Sequence, residues 1–136
     1  GVIGAVLGGL LAFSVVSPRV SAQMNEKGEI QIRTSEDFDT LVLRAGQPVL
    51  VDFYSPTCGP CRMLAPTIAK LAEQYEGRAG VYKVNVEALP ELASRYGIQG
   101  VPSVLFFQKG EEVNRLVGLR PQDAYSVVLD RLLSSV

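Results

Sequence analysis

The chain has 136 residues, 47% of them hydrophobic, which is enough for one domain with a core of normal size and, at most, a short appendage. Its 13 basic and 14 acidic residues are scattered and leave a net charge of −1, so it shows no electrostatic footprint for nucleic acid. There is no histidine, which removes the usual general base and the commonest metal ligand, and there are two cysteines.

Gly1 to Ser17 is almost wholly apolar, breaks at Pro18-Arg19 and does not belong to the globular core. It reads as the apolar region of a secretory signal, with Val20-Ser21-Ala22 as a small-residue cleavage site, or as a short membrane anchor at the low edge of the spanning range. A buried core helix is the third reading, opposed by the glycine content and the polar stretch that follows. The expected organisation is therefore a signal peptide or anchor over 1–22, a linker over 23–29 and a globular domain over 30–136.

Ile30-Gln31-Ile32-Arg33 alternates as a short strand does. Thr34-Ser35-Glu36-Asp37 reads as a helix start, with an acid three residues after Thr34, and the helix is expected to reach about Arg44 before Gly46 and Pro48. Val49 to Tyr54, broken only by Asp52, is expected to be a central strand buried on both faces. Cys58 to about Tyr75 carries helical spacing in Met63, Leu64, Ile68 and Leu71, and Pro66 inside it should kink that helix rather than end it.

Gly77 to Gly80 is a turn, Val81 to Val86 a strand, and Leu89 to Tyr96 a short helix stopped at Gly97. Val101 to Phe107 reads as a strand entered at Pro102, where a proline is tolerated. Lys109-Gly110-Glu111 turns the chain into a strand over Val113 to Val117, and Pro121 opens a final amphipathic helix to Leu133. The order βαβαβαββα gives an α/β fold: a central mixed sheet, parallel in its first half and antiparallel in its last two strands, flanked by helices.

The run Cys58-Gly59-Pro60-Cys61 directly follows the central strand. At a helix start, residues three apart come within roughly 5 to 6 Å, close enough for a reversible disulfide. The unpaired N–H groups and dipole of the helix end favour a thiolate, most of all at Cys58. Pro60 suits one of the first helical positions, and Gly59 lets another backbone approach. Three other readings compete with a redox pair. A tetrahedral zinc site within the chain is short of ligands, a structural disulfide would close too short a loop to constrain the unfolded chain much, and two inert buried cysteines would not need Gly-Pro between them. A CxxC motif near a βαβ pattern favours redox chemistry. Asp52, a carboxyl in an apolar strand, is expected to have a raised pKa that suits proton transfer near neutrality.

The chain resembles the thioredoxin family over about residues 30 to 134. The resemblance rests on Val-Asp-Phe at 51 to 53, Cys-Gly-Pro-Cys-Arg-Met-Leu-Ala-Pro at 58 to 66, Lys83, Gly100-Val101-Pro102 and Val117-Gly118. It implies a thioredoxin fold and a cycle with no bound cofactor, in which the Cys58–Cys61 disulfide itself carries the electrons. Cys58 corresponds to the nucleophile that attacks a substrate disulfide and Cys61 to the resolving thiol. Asp52 corresponds to the buried acid that takes and returns the proton of Cys61, and Lys83 faces it, so a simple Asp52–Lys83 core pair is the competing reading. Pro102 matches the family's cis-proline opposite the cysteines, where Val101 offers its backbone N–H and C=O to an incoming peptide strand. Gly118 would line the same groove, with a β-bulge glycine as the alternative. Thr57 stands where the family has Trp, which replaces an apolar contact surface beside Cys58 with a hydroxyl.

The resemblance implies a protein-disulfide reductase, expected to be monomeric. Its partners would be protein disulfides and an upstream reductase: a membrane electron donor if the domain is exported to a periplasm or lumen or anchored there through residues 2–17, a flavoprotein or ferredoxin-linked reductase if it is cytoplasmic or organellar. An oxidase or isomerase of the same class would differ in reduction potential. From another class, a thioredoxin-fold binding or structural subunit would not need its cysteines.

Overall fold

A computed structural model of the protein describes residues 23–24 and 29–135. The signal or anchor expected over 1–22 lies outside the described residues. Among those described, no helix is long and apolar enough to cross a membrane.

Six strands form one sheet: β1 (Gln23–Met24), β2 (Ile30–Ile32), β3 (Val49–Tyr54), β4 (Gly80–Asn85), β5 (Ser103–Gln108) and β6 (Glu111–Val117). Their spatial order is β1-β2-β4-β3-β5-β6. β2, β4 and β3 are parallel neighbours, as the helical crossovers between them require. β5 and β6 form the expected antiparallel pair, and β5 also runs antiparallel to β3. The stretch expected to be a linker contributes to the sheet, because Gln23 pairs with Gln31 and Met24 with Ile30 as a two-residue antiparallel edge.

The helices are α1 (Ser35–Phe38), α2 (Gly59–Gln74), α3 (Pro90–Arg95) and α4 (Gln122–Ser134). The Thr34 hydroxyl accepts the Asp37 N–H at 3.0 Å and so starts α1. Beyond Phe38 the chain widens into a π-helical turn over Asp39–Leu43, where a uniform α-helix was expected. α2 runs unbroken through Pro66, although a proline at that position cannot donate to the Arg62 carbonyl. Gly77 and Gly97, with φ of 83° and 60°, turn the chain out of α2 and α3.

Successive side chains of β3 point to opposite faces, so this strand seeds two apolar layers. Leu50 packs with Val104 and Phe106 against Leu64, Ile68 and Leu71 of α2 and Tyr125 and Leu129 of α4. Val49, Val51 and Phe53 pack on the other face with Ile32, Phe38, Val42, Leu92, Leu105 and Phe107. Asp52 falls two residues after Leu50 and therefore on the α2/α4 face, beneath the start of α2.

Candidate active site

β3 ends at Tyr54, and the turn that follows is closed by the Cys58 N–H donating to the Ser55 carbonyl at 3.2 Å. Cys58 is the N-cap of α2, with extended backbone (φ −93°, ψ 118°), while Gly59 and Pro60 occupy the first helical positions. Its Sγ accepts the Cys61 N–H at 3.1 Å, doing what a Ser or Asp oxygen does at other helix starts. Arg62 braces the turn from the next position by donating to the Pro56 carbonyl at 3.0 Å.

The two thiols are not equivalent. Cys58 is half-buried, whereas Cys61 is buried, and both are free. Burial, and then the hydrogen bond with Cys58, push the Cys61 thiol up to about 12. Asp52 is 1% exposed, and desolvation raises its carboxyl to about 7, against the pull of Lys83 and with the help of Glu29. Its Oδ1 is buried without a hydrogen-bond partner. Lys83 is the register partner of Asp52 across the β3/β4 pair, yet its ammonium pairs with Glu29 at 3.6 Å and lies 4.6 Å above the Tyr54 ring. The expected alternative of a simple Asp52–Lys83 core pair is thus replaced by a Lys83–Glu29 pair.

Facing the cysteines is the loop that enters β5. The Val101–Pro102 peptide is cis, and the Cys58 thiol lies 3.7 Å from the Val101 carbonyl. Pro102 is buried, and its carbonyl accepts the Gly118 N–H at 2.8 Å, which ties the end of β6 to this loop. Gly118 has φ of 92° with open space where a Cβ would stand. The register shift of β5/β6 lies at Phe106/Phe107, so the β-bulge alternative for Gly118 does not hold. Gly59, too, has open space around it. Thr57, Gly59 and Pro60, next to Cys58 in the chain, are exposed, and so are Met63, Val117 and Leu119.

The structure therefore brings together Cys58, Cys61, Asp52, Lys83, Thr57, Gly59, Pro60, Val101, Pro102 and Gly118. It adds residues that were not singled out from the sequence. Ser55 is buried and donates to the Glu87 carboxylate at 2.5 Å, and its hydroxyl also accepts the Thr57 N–H at 3.3 Å and lies 3.2 Å from the Thr57 hydroxyl. Thr57 is thereby tied back to its own loop. Glu29, 4% exposed, sits two residues before Gln31, and that spacing was the one available sign that it shares a face with Lys83.

A sulfur at a helix start, a buried second thiol, a buried acid and a cis-proline loop facing the cysteines are the arrangement expected of the thioredoxin class. The thioredoxin family model matches residues 29–131, and the chain belongs to the thioredoxin family. It is 41% identical over 105 residues to the chloroplastic M-type thioredoxin of Pisum sativum, covering 77% of this chain and 61% of that one. Against thioredoxin 1 of a Nostoc species it is 44% identical over 100 residues, covering 74% of this chain and 94% of that one. A solved mutant thioredoxin from Halobacterium salinarum superimposes with a TM-score of 0.72 at 33% identity, covering 82% of this chain and 96% of that one. The chain thus spans less than two thirds of the pea relative's length and nearly all of the Nostoc relative's.

Proposed function

We propose that this chain reduces protein disulfides through a Cys58/Cys61 dithiol cycle. The Cys58 thiolate attacks one sulfur of the substrate disulfide; a mixed disulfide forms, and the other substrate sulfur leaves as a thiolate that takes up a proton. Cys61, losing its proton to the Asp52 carboxylate, then attacks the Cys58 sulfur. The Cys58–Cys61 disulfide closes, the second substrate thiolate departs, and Asp52 returns the proton. Two electrons have passed to the substrate, and an upstream reductase restores the dithiol.

The observation that carries this reading is the Cys58 sulfur at the N-cap of α2, accepting the N–H of a buried Cys61 with an ionisable Asp52 behind it. A substrate strand docks along Val101, with Gly59 and Gly118 leaving room for its backbone and Pro60 and Thr57 at the rim. Reduction is the favoured direction, because Gly-Pro lies between the cysteines. Names of relatives in pea and rice include the word chloroplastic, which supports an organellar destination with residues 1–22 as its targeting segment and a flavoprotein or ferredoxin-linked donor. Insulin reduction with dithiothreitol tests the activity. Wild type accelerates precipitation of the insulin B chain and Cys58→Ser does not; a Cys58→Ser variant as fast as wild type overturns the proposal. The mature N-terminus and organelle fractionation of the expressed protein test the compartment.

A further inference from the structure

We propose that Glu29 is a positioning residue: its carboxylate holds the Lys83 ammonium away from Asp52, so that the buried acid behind the cysteines stays without an ionic partner. This deepens the reductase reading and rests on Asp52 as the group that exchanges a proton with Cys61. Gln31, Lys83 and Asp52 form one row across β2, β4 and β3, and side chains of paired residues on neighbouring strands share a face. Glu29, two residues before Gln31, belongs to the same face. Lys83 therefore stands between two carboxylates, and the structure shows which one takes it: Glu29 Oε1 lies 3.6 Å from Nζ, while Asp52 Oδ1 is left without a partner.

The rest of the surroundings hold Lys83 in that position. Its ammonium sits over the Tyr54 ring, 4.6 Å from the centroid, and the Tyr54 hydroxyl donates to Gln31 Oε1 at 2.8 Å. Gln31 in turn donates to the Lys83 carbonyl at 3.4 Å. The titratable groups that act on or feel Asp52 are Lys83 from β4, Glu29 ahead of β2, Cys61 from α2 and Tyr125 from α4. From β5 its register partner is Val104, which is apolar. Lys83 is thus the one cation in this set, and where it points decides whether Asp52 is a proton carrier near neutrality or a permanently ionised half of a buried pair.

Glu29→Gln removes the competing charge and frees Lys83 to turn toward Asp52. Titration of the Asp52 carboxyl carbon by NMR in the reduced full chain should show the midpoint falling by about 1 to 3 pH units. A Glu29→Gln midpoint equal to wild type overturns the proposal. Loss of direct repulsion between Glu29 and Asp52 would lower the midpoint as well, so the Lys83→Met background separates the two causes. There Glu29→Gln should move the midpoint less than it does with Lys83 present; an equal movement in both backgrounds overturns the positioning role. Glu29→Asp, which keeps the charge but shortens its reach, gives an intermediate fall and serves if the Gln variant does not fold; its overturning result is again an unmoved midpoint. The pH profile of mixed-disulfide resolution by Cys61 is read in the same variants. A lowered Asp52 midpoint with an unchanged resolution profile supports the Glu29 assignment and overturns instead the reading of Asp52 as the proton acceptor.

Discussion

Asp52 is where the fold gives up stability, by burying a carboxyl. Its carboxyl is raised from 3.8 to about 7, chiefly by burial. A raised carboxyl pKa means that the folded chain holds its proton more tightly than the unfolded chain does. The buried acid is therefore tolerated below pH 3.8, and its cost grows as pH rises from there and is complete above about 7. Each pH unit is worth about 1.4 kcal/mol, so Asp52→Asn should stabilise the protein by up to about 4 kcal/mol at pH 8. The gain should shrink toward zero as pH falls to 4. Urea unfolding of wild type and variant at the two pH values measures it, and equal stabilisation at both would show that the acid is not held in its protonated form by burial. The same variant should resolve mixed disulfides slowly, since Cys61, whose thiol is pushed up to about 12, loses the proton acceptor proposed for it.

The elements differ in how legible they were. β3 and α2 were plain, because an apolar run broken only by Asp52 and a 3.6-residue period dictate a buried strand and a half-buried helix, and the cysteines fall on their junction. The π-helical turn over Asp39–Leu43 was hidden, since a change in hydrogen-bond pitch over five residues leaves no separate mark in the apolar spacing. β1 was hidden because two residues, one polar and one apolar, show no alternation that separates a strand from a linker. Glu29 was hidden for a related reason: an acid before a three-residue strand does not declare which lysine it will meet. Gly118 was half legible, with its place in the groove suggested by resemblance and its need for glycine supplied by a φ of 92°. An alanine there meets no heavy atom within 4 Å, so the cost is backbone strain alone. Gly118→Ala should lose about 1 to 2 kcal/mol in urea unfolding. It should also raise the KM for insulin more than that for a small disulfide such as oxidised glutathione, because the added methyl would lie beside the proposed docking strand. Equal effects on both substrates would remove Gly118 from the protein-binding groove.

At the scale of the whole molecule, both apolar layers are built from residues between Ile32 and Leu133, and every residue brought to the active site lies between Glu29 and Gly118. The family match covers 29–131, nearly the same stretch. Fold and chemistry therefore share one unit. The described chain before Glu29 adds to that unit only the short pairing of Gln23 and Met24 on β2. That pairing covers one edge of the sheet and steadies β2, the strand that Glu29 precedes. Two truncations separate these contributions. A chain starting at Gln23 should keep the wild-type unfolding midpoint and the wild-type rate of insulin reduction. One starting at Gly28 keeps Glu29 but loses β1, and should unfold at lower urea, with exchange of the Ile30 to Ile32 amides accelerated and the cysteine chemistry at pH 7 little changed. If removing residues 1–22 alone lowers the urea midpoint, that segment contributes to the fold. If both truncations match the full chain, the β1 pairing adds nothing to stability.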